Sequence, residues 1–210
     1  MKKLILFGIC LLLTSCFEIT EKIKHNSNQS GDYSLIIDFS NSWLKTKSAI
    51  LLEEVDGVSI PNEEDIKAKL TQFRTEASKI KGTSKIATTY DFNTYVFKIH
   101  FSYNSIETLN SVLNTIDKKN VLVHFKNNNG NFERIASYPI PKDLAKKEDK
   151  KEDLQKANIT AVYTFDKEIA TVQNANCKLS KSKKIVFLKQ NIWNVLKNNK
   201  LMNNSISFNP

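Results

Sequence analysis

Apolar and polar positions alternate along much of this chain. From Phe17 to Lys24, Phe17, Ile19 and Ile23 share one face, and Glu18, Thr20, Lys22 and Lys24 share the other. This is the period of a half-buried strand. A polar stretch containing Gly31 turns the chain over 25–32, and Tyr33 to Phe39 returns as the second strand of a hairpin. Asn41 or Ser42 then caps a helix running to about Glu54, with Trp43, Leu44, Ile50, Leu51 and Val55 on its apolar side and Asp56-Gly57 as its stop. A stronger helix follows. Asn62 is its cap, and Glu63, Glu64 and Asp65 load its first turn with negative charge, where the helix dipole favours it. Ile66, Leu70, Phe73, Ala77 and Ile80 form one stripe, and Gly82 supplies the residue that tolerates a left-handed backbone at the end.

The same order, hairpin then helix, recurs at 84–117. Ser84 to Tyr90 predicts a strand and Asp91-Phe92-Asn93 a turn, and Tyr95, Phe97, Ile99 and Phe101 line one face of the return strand. Asn104 or Ser105 caps a helix with Ile106, Leu109, Leu113 and Ile116 inward. Val121 to Phe125 predicts a strand, Asn127-Asn128-Asn129-Gly130 a hairpin turn, and Phe132 to Tyr138 its return. Residues 142–156 are mostly charged and predict a solvated linker or exposed helix, with Asp143/Lys147 and Glu152/Lys156 placed to pair. Strands follow at Asn158–Phe165, Ala170–Val172 and Cys177–Leu179. Ile185 to Leu188 is apolar on both faces and predicts a central strand. A short helix at Asn191–Lys197 and a last strand around Ile206 and Phe208 close the chain. The fold class expected is α+β: an antiparallel sheet with two or three helices packed on one face, plus a β-rich C-terminal part.

The first sixteen residues read differently. Lys2 and Lys3 precede an apolar run, Leu4 to Leu13, of about ten residues, too short for a bilayer core that needs roughly 20. It ends in Leu13-Thr14-Ser15-Cys16, which resembles the lipobox of bacterial lipoproteins. The resemblance implies that residues 1–15 are a signal peptide cut between Ser15 and Cys16. It also implies that the Cys16 thiol carries a diacylglycerol and that the new N-terminus takes an acyl chain such as palmitate. Two or three acyl chains meet the requirement for stable anchoring. The plainer reading is a secretory leader cut nearby, with Cys16 incidental. The domain division expected is 1–15 leader, 16–141 lipid-anchored α+β domain, 142–157 charged linker or exposed helix, and 158–210 a β-rich part of the same domain. Phe17 follows the cysteine with no acidic cluster, which favours a periplasm-facing site on the outer membrane.

Composition adds limits. The chain carries 31 basic and 22 acidic residues. Loss of the leader removes two lysines and leaves about +7, suited to attraction toward anionic headgroups. Nucleic acid is a poor partner for an exported chain. Of three cysteines, Cys10 leaves with the leader and Cys16 goes to lipid, so Cys177 stands alone, as a small apolar residue rather than a reactive thiol. His25, His100 and His124 are scattered without ligand spacing, and no nucleophile elbow or phosphate loop is present, so neither a catalytic residue, a metal site nor a cofactor is expected. Lys178, Lys181, Lys183 and Lys184 crowd one turn and are the candidate contact for an anionic surface, or else a charged tip that protects strand edges.

Cys16-Phe17-Glu18-Ile19, the turn at Ser30-Gly31-Asp32-Tyr33, the two helices, the Tyr90–Tyr103 hairpin and Tyr163-Thr164-Phe165 together resemble a group of uncharacterised lipoproteins of Bacteroidota-type bacteria. More distantly, they resemble the LppM-like lipoprotein domain. The resemblance implies a cell-envelope domain, and Cys16 is the one site residue it carries over. The function expected is a lipid-anchored, non-catalytic interaction or scaffold module that holds another envelope protein. The alternative is a binder of lipid or another apolar ligand through the aromatic faces of Tyr95, Phe97, Phe101, Tyr163 and Phe165, and an envelope hydrolase is the remote one.

Overall fold

The computed structural model describes residues 17–55, 58–116, 121–135 and 148–209. The lipobox, Pro139, Pro141 and the Asp143/Lys147 pair lie outside them. Among the described residues the architecture is mixed α+β: a seven-stranded sheet, a four-stranded one, a two-stranded one and five α-helices. The strands are β1 (Glu18–His25), β2 (Gly31–Asp38), β3 (Glu54–Val55), β4 (Val58–Ser59), β5 (Thr83–Asp91), β6 (Val96–Tyr103), β7 (Phe125–Asn128), β8 (Asn131–Arg134), β9 (Asn158–Phe165), β10 (Ile169–Val172), β11 (Lys178–Leu179), β12 (Ile185–Asn191) and β13 (Asn204–Phe208). The helices are α1 (Trp43–Leu52), α2 (Glu63–Ser78), α3 (Ile106–Leu113), α4 (Lys151–Lys156) and α5 (Ile192–Lys197).

The large sheet has seven strands in the order β11-β12-β9-β1-β2-β6-β5. Each pair is antiparallel except β1 with β9, which run parallel from Glu18↔Asn158 to His25↔Phe165. Its core-facing side is the alternation visible in the sequence. Ile19 and Ile23 of β1, Phe97, Ile99 and Phe101 of β6, and Ile159, Ala161, Tyr163 and Phe165 of β9 are all buried. The smaller sheet, β10-β13-β8-β7, packs on that side, with the Phe132 ring 5.3 Å from Phe165 and 5.8 Å from Tyr163.

An ion pair ties the two sheets together. Glu21 occupies a core-facing position of β1, and Arg134 ends β8; both are 4% exposed. The guanidinium grips the carboxylate with two N–H groups, each 3.0 Å from its own oxygen. It donates a further bond to the Ile135 carbonyl and lies over the Phe125 ring. The Tyr163 and Tyr33 hydroxyls donate to the same carboxylate. The charges are therefore desolvated but saturated, the condition under which a buried pair is tolerated.

Helix α2 starts where expected: the Asn62 side chain accepts from the Asp65 N–H, and Ile66, Leu70, Phe73 and Ala77 are buried. It stops at Ser78, before Gly82. Gly82 instead takes a left-handed φ of 92° in the turn into β5. Ser105 caps α3 through the Thr108 N–H, but Ile116 lies past the helix end and is exposed.

Four other expectations are corrected. Residues 121–124 form no strand, because the Asn110 and Asn114 side chains take up the backbone N–H groups of Leu122, His124 and Phe125 in place of a ladder. Leu154, in the charged stretch, is buried where α4 meets α5, so that stretch is not wholly solvated. β12 lies between β11 and β9 but is covered on one face only: Val186 and Leu188 are buried and Phe187 is exposed. Finally, α1 buries Thr46, Ala49 and Ile50, while Trp43, Leu44 and Leu51 face outward. None of its three leucines is buried, so hydrophobicity does not choose its inner face.

Candidate functional site

The large sheet has two ends, set by the register of β1. At one end Phe17 precedes Glu18, which pairs with Asp38 and Asn158. At the other, His25 pairs with Gly31 and Phe165. Eight residues of strand separate the ends by about 25 Å.

The His25 end holds the candidate site, a cleft of about 280 Å³. Its floor is aromatic, from Phe132, Phe165 and Phe208. Its rim is rich in amides: Asn26 and Gln29 from the β1–β2 turn, Asn127, Asn129 and Asn131 from the β7–β8 hairpin, and Asn209 beyond β13. The hairpin turn was legible as Asn127 to Gly130. Gly130 takes φ 80°, and its N–H donates to the Asn127 side chain.

Two groups in the cleft have fixed states. Asp166, just past β9, accepts from the Ser27 N–H at 2.9 and 3.0 Å and from the Ser27 hydroxyl at 2.8 Å. These bonds hold its carboxyl below the usual range. They also clamp the β1–β2 turn to the β9–β10 turn. His25 continues the core-facing alternation of β1. Its Nδ1 is 3.1 Å from the Tyr103 hydroxyl, and its ring is 4.9 Å from Phe132. Burial lowers its pKa to about 4, against a weaker pull upward from Asp166. At neutral pH the imidazole is uncharged. The cleft thus offers uncharged amide donors and acceptors over rings, with Asp166 and Lys167 at its edge, a surface matched to neutral polar groups such as exposed peptide backbone.

No protein-family model matches this chain, and no curated protein matches it in sequence. Among solved structures, the chain is similar to the folded domain of LppM from Mycobacterium tuberculosis, determined by NMR. The two are 10% identical, with a TM-score of 0.43 over 93% of this chain and 92% of that one. The likeness to LppM is distant.

The residues singled out in the sequence fall as follows. Ser15 and Cys16 lie outside the described residues; Phe17, next to them, is buried against Phe39 with ring centroids 5.5 Å apart. Lys178, Lys181, Lys183 and Lys184 are exposed around the β11–β12 turn. That turn is at the His25 end, where Lys184 Nζ donates to the Asp166 carbonyl. Lys184 therefore reaches the cleft's Asp166, and the turn stands a strand's length from Phe17. Tyr95, Phe97, Phe101, Tyr163 and Phe165 are each at most 7% exposed and pack in the core. Cys177 is half-buried, accepts from the Asn204 amide, and has its thiol pushed up to about 11 by burial. His124 is also lowered to about 4, by burial first and then by Arg134. Among the described residues no three His, Cys, Asp or Glu side chains gather as metal ligands, and no helix is long and apolar enough to cross a membrane.

Sequence reasoning missed the cleft. Its one local signal was His25, a polar residue in phase with Ile19 and Ile23. The Ser27–Asp166 clamp joins positions 139 residues apart, and no periodicity reports that.

Proposed function

We propose that this chain is a lipid-anchored cell-envelope lipoprotein acting as a non-catalytic interaction module, held by Cys16 and facing a protein partner with its His25 end. The observation that carries the reading is the opposition of the two ends. Cys16 adjoins Phe17 and the first strand directly, so an anchored domain has no tether and directs the amide-rimmed cleft away from the bilayer. Outer-membrane attachment facing the periplasm follows from the residues after Cys16 and belongs to the same reading.

The alternative, a binder of apolar ligands, needs the aromatic faces of the hairpins to be open. Their burial in the core favours the partner reading. The lysine turn beside the cleft then serves an acidic rim on the partner, rather than the anchoring bilayer.

The test has two arms. Cys16→Ser is expected to release the protein from the envelope fraction and to accumulate uncut precursor; continued partition with envelopes and normal processing would remove the anchor. A photo-crosslinker placed at Asn129 in the anchored chain is expected to trap one discrete envelope protein. A crosslinker at Lys22, on the open face of β1, is the control, and equal products from both positions would remove the cleft as the contact.

A further inference from the structure

Helix α1 lies across the Phe17 end of the sheet, and its outward face is apolar. Trp43 opens the helix five residues after Asp38, the partner of Glu18. The far end of α1 is held at the same end of the molecule. The Glu53 carbonyl accepts from the Ile60 N–H, just before the start of α2, and Lys67 in the first turns of α2 sits over Phe92 in the β5–β6 turn. That turn joins Asp91 to Val96, the partner of Asp38. Both ends of α1 are therefore tied to one end of the sheet, and about 15 Å of helix spans it.

On the outer side stand Trp43, Leu44, Leu51 and Leu52, exposed by 44, 62, 74 and 68%. Lys45 and Lys47 are exposed on the same helix. A soluble surface helix normally turns polar residues outward; here the large apolar side chains stand outward. Trp43 and Leu44 line a groove whose other wall is Asp153 and Lys156 of α4, and exposed large apolar side chains grouped in this way mark a contact surface.

We infer that this face of α1 docks on the bilayer, with Trp43, Leu44, Leu51 and Leu52 below the headgroups and Lys47 against anionic phosphates. The occupant is set by position. The sixteen residues before Phe17 carry the apolar run Leu4–Leu13 and the lipidation tetrad, and they join the described chain at the end that α1 spans. The inference deepens the anchoring reading: acyl chains hold the domain to the membrane, and α1 fixes its orientation, cleft outward.

The chain has two tryptophans, which makes the contact readable. Trp43 is on the docking face, and Trp193 is buried under Lys197. The full chain, purified from its host membranes, is placed in vesicles of phosphatidylethanolamine and phosphatidylglycerol with and without chain-brominated phospholipid. Brominated chains are expected to quench one emission component, which Trp43→Phe abolishes. Leu44→Ser with Leu51→Ser is expected to cut the docked population by roughly tenfold or more. No quenching, or quenching that survives Trp43→Phe, overturns the docking. Trp43 unquenched in vesicles yet shielded in whole envelopes also overturns it, and assigns the face to a protein. The intact mass reads the anchor separately: an acylated chain with unquenched Trp43 keeps the anchor and loses the docking, and an unacylated chain with quenched Trp43 does the reverse.

Discussion

At the Phe17 end, α1, α4 and α5 adjoin β2, β9 and β12; at the His25 end, turns join β1 to β2, β9 to β10 and β11 to β12. The helices α1, α4 and α5 satisfy their own backbones, so their outer faces are free to be apolar, and α1 uses that freedom. The turns have no such internal ladder. Beside a few backbone bonds, they close through side chains: Asp166 on Ser27, Asn28 on Ser30, Asn127 on Gly130, and Ser180 on the Ile185 N–H. Their amide-rich surface is first a consequence of backbone accounting. With α1 docked as inferred above, one sheet would meet hydrocarbon at one end and aqueous protein surface at the other, through the kind of closure at each.

The largest effect is expected midway between the ends. Arg134→Ala leaves the Glu21 carboxylate buried without its cation, and breaking such a pair costs about 3–5 kcal/mol. It also frees β8, one wall of the cleft, from β1. Urea denaturation checks the loss. Amide exchange checks its location, with protection expected to fall in 125–134 before it falls in α1. Equal loosening at both ends would show that they are not independently closed.

Acid is expected to act next, and on the His25 end. His25 is held near 4, against an ordinary value near 6.5, so between these the unfolded chain binds the more protons. The stability contributed by the neutral ring is fully present above about 6.5, declines as pH falls, and is gone near 4. The loss is on the order of 3 kcal/mol. His124, behind the cleft, adds in the same direction. Melting followed from pH 7 to 4 checks this. A flat profile, or one unaltered by His25→Phe, removes the assignment.

Gly31→Ala tests the tightness of the same end. A methyl group there runs into the Lys24 carbonyl and the Tyr103 hydroxyl. Overpacking of this kind costs about 1–3 kcal/mol, and the displaced Tyr103 would lose its contact with His25. Thermal melts check the loss, and His25 ring resonances check the displacement.

What could be read beforehand divides along the same line. β1, β6 and β9 were legible because each has one buried face, and the period of two names it. The caps of α2 and α3 were legible because Asn62 and Ser105 act on N–H groups three residues away. Glu21 and Arg134 sit in the buried phase of their strands, and no local pattern pairs two residues so distant in sequence. The inner face of α1 was not legible, since Thr46 and Ala49 owe their burial to limited space over the sheet end. The cleft was not legible because its walls come from three turns and the end of β13, distant in sequence.

The smallest effect belongs to α1, and its smallness is the point. Leu44→Ser and Leu51→Ser are each expected to change stability by about 0.5 kcal/mol or less, because exposed leucines lose little on folding or on truncation. Ile50→Ala, one residue from Leu51 but buried, is expected to cost about 2 kcal/mol or more. Urea midpoints of the three variants decide between two accounts of this end. If the serine variants fall with Ile50→Ala, the leucines are core and α1 has no free face. If they hold while Ile50→Ala drops, sequence hydrophobicity at 44 and 51 serves no internal packing, and its use must lie outside the fold.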